Sequence, residues 1–171
     1  MSLNDDHPVA RWHRILRERD LAALHTLLHE QAVFHSPVVH TPQVGRTLVV
    51  AYLTAAATVI ANPTFRYVRE IVGSHDALLE FVTELDGVEV NGIDLIRWDD
   101  TGRIVEFKVM VRPLKAMQAV QRCMAEVLQR LTPLLTDAGK GKCAQNGKYD
   151  LHVLNRCGIA VQGLREDTLL A

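Results

Sequence analysis

GIDLIRWDDTGRIVEF, residues 92–107, reads as two β-strands around a tight turn. Asp94, Ile96 and Trp98 alternate with Ile93, Leu95 and Arg97, the period of two that places successive side chains on opposite faces of a sheet. Asp100-Thr101-Gly102 supplies the turn, because glycine tolerates positive φ. Three neighbouring segments have the same character, so strands are expected at about 65–72, 77–85, 88–98 and 103–112, punctuated by Gly73-Ser74, Asp86-Gly87 and the turn at 100–102. Short turns between consecutive strands predict an antiparallel meander. Leu79, Phe81, Thr83 and Leu85 fall on one face of the second strand against Glu80 and Glu84. On the fourth, Phe107, Val109 and Val111 oppose Glu106, Lys108 and Arg112. The apolar sets predict the inward face, which makes Asp94 a carboxylate set among Phe, Val and Trp.

The residues upstream have helical spacing. Asp5 or Asp6 can cap a helix starting near Pro8 with Val9, Trp12, Ile15 and Leu16 on one side, and Asp20 can cap a second helix with the stripe Leu21, Leu24, Leu28. Ala32 to Ser36 reads as a short strand stopped by Pro37. The run LVVAYLTAAATVIA, 48–61, reads as a third helix ended by Asn62 and Pro63. Helices followed by strands predict an α+β fold with the helices covering one face of a curved sheet. Downstream, Met117, Val120, Met124, Val127, Leu131 and Leu134 make a narrow seam, so an amphipathic helix is expected over 113–135, ended by Pro133. From Thr136 no period is sustained. Residues 136–171 are expected to be a loose tail dispensable for the fold, with one strand-like stretch from Tyr149 to Leu154.

Composition narrows the function. The 171 residues suit one domain with an appendage, and 48% hydrophobic with 23% charged residues excludes wholesale disorder. Nineteen Lys and Arg against twenty Asp and Glu give a net charge of −1, without the basic excess that nucleic acid calls for. The beginning, MSLNDDHPVARW, lacks the basic and apolar regions of a secretion signal, and 48–61 is too short to span a bilayer. The three cysteines, Cys123, Cys143 and Cys157, have no CxxC spacing and suit free thiols in a reducing compartment. A cytoplasmic protein without nucleic-acid or membrane partners is expected. His25 and His29, four apart, flank the leucine stripe as a polar helix border, and no HExxH is present, so neither metal nor other cofactor is expected. His35 alternates with Ser36 and should point away from the pocket, whereas His40 on the returning arm is a candidate base.

The order of helical hairpin, AVFHSPVV at 32–39, a helix opened by Gly45-Arg46, and a meander containing GIDLIRWDDTGRIVEF resembles the nuclear transport factor 2-like superfamily, in its SnoaL-like group. The likeness covers about 11–112. It implies a cone-shaped curved sheet whose pocket is closed by helices, in a superfamily of ketosteroid isomerases, polyketide cyclases, dehydratases, epoxide hydrolases and non-catalytic binding proteins. Against the ketosteroid isomerases, Asp94 falls on the oxyanion-hole acid, Ser36 on the general-base aspartate that precedes a proline, and Trp12 on the tyrosine of the first helix. A serine lacks the basicity and an indole N–H only donates, so proton shuttling between steroid carbons is not supported. The epoxide hydrolase pattern needs an inward arginine, and Arg97 faces away from Asp94.

These readings converge on a pocket for a small hydrophobic carbonyl or polyketide-like ligand. Asp94 and His40 are its candidate catalytic residues, and Trp12, Ser36, Tyr52, Phe81, Trp98, Phe107 and Val109 its candidate lining. By the resemblance, Asp94 is a carboxylic acid kept protonated by apolar surroundings, able to donate to a carbonyl. The plainer alternative is a structural Asp bonded to backbone or to Trp12. Two functions stay open, an acid/base isomerase, cyclase or dehydratase and a non-catalytic ligand-binding or assembly module. A second inward titratable group within reach of Asp94 separates them. Outward Ile93, Leu95 and Met110, with the 117–131 seam, leave apolar surface to cover and predict a homodimer.

Overall fold

The computed structural model describes residues 4–139, 142–144 and 160–167. Helix α1 (Pro8–Glu18) opens on His7, whose Nδ1 accepts from Val9 N at 3.2 Å. The cap is therefore His7 rather than Asp5 or Asp6, with Pro8 in the first helical position where its missing N–H costs nothing. Val9, Trp12 and Ile15 are buried. The expected second helix is a 3₁₀ turn, Leu21–Ala23, and one α turn, α2 (Leu24–Leu27). Leu28 is extended and already starts β1 (Leu28–His35), where it pairs with Ile104. Strand pairing takes a residue that helical spacing had claimed, and His25 and His29 consequently stand on different elements.

After β2 (Gln43–Val44) and α3 (Arg46–Ile60), the meander follows as β3 (Arg66–Val72), β4 (Asp76–Leu85), β5 (Val88–Trp98) and β6 (Ile104–Arg112). The sheet order is β2-β1-β6-β5-β4-β3. The meander is antiparallel throughout, and β1 adds to its β6 edge in parallel, which makes the sheet mixed. Asp86 and Gly87, at φ 51° and 72°, form the two-residue connection whose twist suits a hairpin. Alternation sorts the faces as the sequence predicts. Leu79, Phe81, Thr83 and Leu85 of β4, Asp94, Ile96 and Trp98 of β5, and Phe107 and Val109 of β6 are buried.

Residues 1–121 form one compact unit and 122–171 another. Helix α4 (Leu114–Thr136) runs past Pro133, and Ala116, Ala119 and Val120 near its start are buried. The tail holds two short strands, β7 (Lys142–Ala144) and β8 (Leu164–Asp167), paired in parallel. The strand-like stretch from Tyr149 to Leu154 lies outside the described residues. Among the described residues no helix is long and apolar enough to cross a membrane.

Candidate functional site

Asp94 sits at the centre of the inner face of β5, flanked in the ladder by Leu79 of β4 and Val109 of β6. Only 6% of it is exposed. Its hydrogen-bond partner is Tyr67 of β3, whose hydroxyl donates to Asp94 Oδ2 at 2.8 Å. The same hydroxyl accepts from Trp12 Nε1 of α1, also at 2.8 Å. Three residues far apart in sequence thus form a chain, Trp12 to Tyr67 to Asp94, that runs from helix to sheet. Burial penalises the carboxylate and raises the Asp94 pKa to about 7, with the Tyr67 bond holding it from rising further. Burial first, and then the neighbouring Asp94 charge, push the Tyr67 phenol well above its ordinary value. Asp94 therefore changes charge near neutral pH while Tyr67 keeps its proton.

An aromatic wall holds Tyr67 in place. The Phe65 ring meets it edge-on at 5.0 Å, His13 of α1 does so at 4.9 Å, and Phe81 lies 6.5 Å away. The Phe81 ring fits because residue 92 has no side chain, and a Cβ there would lie inside van der Waals contact with three of its ring carbons. His13 Nε2 also stands 3.2 Å from Glu70 Oε1 of β3.

The other candidates separate into two groups. Trp12, Phe81, Trp98 and Phe107 are core residues at 5% exposure or less, with Trp12 against Phe107 and Tyr52 near Phe34 at ring-centroid distances of 4.9 and 5.9 Å. Ser36, His40 and Val109 line a cavity of about 390 Å³ together with Pro37, Lys108 and Met110. Asp94 is not among the residues that line it. Ser36 Oγ accepts from Val38 N and Val39 N at 3.1 and 3.2 Å, so its lone pairs serve the turn after β1. His40 is exposed at the cavity rim. His35, expected to point away from the pocket, also lines this cavity, and its Nε2 stands 3.4 Å from Glu106 Oε1, which gathers Arg97 and Lys108 at 3.1 and 3.2 Å. Among the described residues no three His, Cys, Asp or Glu side chains converge as metal ligands would.

Tyr67 is the site residue that reading the sequence missed. Pairing runs in step from Val72↔Ala77 to Arg69↔Glu80, then shifts to Tyr67↔Phe81. Carried on unbroken, the alternation pairs Tyr67 with outward Val82; the one-residue bulge between Tyr67 and Arg69 turns it to the inner face instead. The available signal is the Phe65, Tyr67 pair of aromatics at a spacing of two, which marks an inner face wherever the bulge falls.

The SnoaL-like domain family matches residues 9–107 of the chain. A steroid delta-isomerase from Pseudomonas aeruginosa is 40% identical, with a TM-score of 0.68 over 72% of this chain and 90% of that one. An uncharacterised protein with a cystatin-like fold from Silicibacter pomeroyi is 29% identical, with a TM-score of 0.66 over 72% of this chain and 89% of that one. A putative SnoaL-like polyketide cyclase from Shewanella putrefaciens, 12% identical with a TM-score of 0.53 over 73% and 88% of the two chains, shares the fold. No curated protein matches. The matched family covers more than half the chain, from α1 through β5 and into the start of β6, and the chain belongs to the SnoaL-like domain family with the NTF2-like α+β cone fold.

Proposed function

We propose that this chain binds a small hydrophobic carbonyl compound of ketosteroid or polyketide size, with Asp94 hydrogen-bonding the carbonyl oxygen and exchanging a proton with the ligand. The observation that carries this reading is a buried carboxyl held by one tyrosine and poised near neutral pH. A group whose pKa matches the working pH is the most effective acid or base, and such groups cluster at functional sites. Likeness to a steroid delta-isomerase at 40% identity supports the ligand class. A cavity of about 390 Å³ is of the size small ligands occupy, and it reaches Val109, the ladder neighbour of Asp94. In the catalytic form of the reading, His40 at the rim or a water moves the second proton.

One observation favours the non-catalytic reading. Ser36, where the isomerases carry their base, is committed to a turn, and the titratable group in reach of Asp94 is a phenol that stays protonated. Binding and turnover are therefore measured separately. Titration calorimetry with 4-androstene-3,17-dione and with an aromatic polyketide ketone measures binding. Isomerisation of 5-androstene-3,17-dione, followed by ultraviolet absorbance, measures turnover. Asp94→Leu, which keeps the size of the side chain and has neither donor nor acceptor, is expected to weaken ketone binding by about 1 to 3 kcal/mol, the scale of a buried hydrogen bond lost. Binding without turnover selects the storage module. Equal affinity in folded Asp94→Leu and wild-type protein overturns the role of Asp94.

We also propose a homodimer formed through the outer face of the sheet. Ile71, Met110 and Val68 are 60%, 51% and 49% exposed there, beside half-buried Ile93 and Leu95. Light scattering at tens of micromolar is expected to give twice the chain mass of 19.1 kDa. Met110→Lys with Ile71→Lys should return a folded monomer, and a wild-type monomer contradicts the proposal.

A further inference from the structure

The chain from Trp12 to Asp94 has a direction that its chemistry fixes. An indole Nε1–H donates and cannot accept, so at 2.8 Å from Trp12 the Tyr67 oxygen must be the acceptor. That occupies a lone pair of the phenol oxygen and leaves its hydrogen for Asp94 Oδ2, also at 2.8 Å. Oδ2 is therefore the acceptor of the phenol hydrogen. We infer that Trp12 is a positioning residue which, acting through Tyr67, commits Asp94 Oδ2 to accepting and makes Oδ1 the oxygen that carries the acid proton and meets the ligand. The inference deepens the proposed function and rests on it where the ligand is concerned. The direction of the hydrogen bonds concerns the free protein.

Without the indole, the phenol can rotate. Its oxygen could then accept from a proton on Oδ2, and that proton would point at Tyr67 instead of the ligand. Donation by Trp12 also makes the phenol more acidic and hence a stronger donor to the carboxylate. The groups around the chain do not duplicate this action. Leu79 and Val109 flank Asp94 in the ladder; His13 meets the Tyr67 ring by its edge, and Glu70 pairs with His13 at 3.2 Å. Trp12 Nε1 is the donor to the Tyr67 hydroxyl, and it comes from a different element from Tyr67 itself.

The test uses ligand-free full-length protein labelled for carboxyl and indole resonances. Tyr67→Phe is expected to move the Asp94 titration midpoint up by about one pH unit, the scale of one lost hydrogen bond to the charged form. Trp12→Phe, which keeps an aromatic ring and removes the donor, should move it in the same direction by a smaller amount. In wild-type protein the Trp12 indole proton, one of two in the chain, should titrate with the Asp94 midpoint. That readout needs no variant to fold. A midpoint unmoved in Tyr67→Phe, or an indole resonance flat through the Asp94 titration, overturns the directed chain. A midpoint moved by Tyr67→Phe and not by a folded Trp12→Phe removes Trp12 from it. Because no ligand is present, failure of ketone binding and failure of this chain are separate outcomes.

Discussion

Asp94→Asn is expected to make the protein more stable at pH 8 and to leave its stability near that of wild type at pH 4. In the folded chain the carboxyl titrates at about 7, against roughly 3.9 in an unfolded one. Between those values the native state holds a proton that the unfolded state has released. Stability therefore falls as pH rises from about 4 to about 7 and is level above, with a total loss on the order of 4 kcal/mol for the three pH units. Asparagine has the same shape and keeps an oxygen for the Tyr67 hydroxyl, yet it has no charge to desolvate. Asp99 slopes the other way, because the bonds it accepts from Thr101 and Arg103 in its turn hold it below the usual range. The quantity to read is thus the difference in denaturant midpoint between variant and wild type at each pH. A difference that does not grow from pH 4 to pH 8 contradicts a buried, unpaired carboxylate.

Gly92→Ala is expected to cost about 2 to 3 kcal/mol, a large effect for one methyl group in a strand, where alanine would ordinarily help slightly. The methyl carbon would overlap the Phe81 ring, which is 1% exposed and packs against Phe65 at a centroid distance of 5.4 Å. Phe81 can yield only by pressing on Phe65 and Tyr67, so the damage should extend to the site. The cost should shrink in a Phe81→Leu background, because the smaller side chain vacates the ring's place. Denaturation of the two single variants and the double variant measures this coupling. Additive losses would mean that Phe81 is not what glycine accommodates.

Both effects depend on features that the sequence reveals unevenly. The period-two patterning of 77–112 gives the meander, its inner face and the burial of Asp94, because alternation and Gly-containing turns are local signals that tertiary packing reinforces here. Leu21, Leu24 and Leu28 mislead because spacing alone does not say where a helix gives way to a strand; pairing of Leu28 with Ile104 decides it. The parallel seat of β1 beside β6 is a long-range choice with no local mark. At the site, the buried acid is legible and its partner is not. A single extra residue in β3 reverses the face on which Tyr67 lies, and bulges leave little trace in sequence. Trp12 is legible as a core residue of α1, while its hydrogen bond depends on where Tyr67 goes. Ser36 reads as the last residue of a strand before Pro37, and its use of Oγ as an acceptor for Val38 N and Val39 N shows only once the chain turns there.

Asp94, buried on the inner face of the sheet and bonded to Tyr67, changes its charge near neutral pH. Carbon-detected NMR of the Asp94 side-chain carboxyl in the wild-type protein, titrated from pH 4 to pH 9 and assigned against Asp94→Asn, measures it directly. A single step with its midpoint near 7 is expected. A midpoint near 4, the value of an ordinary solvated aspartate, would contradict it.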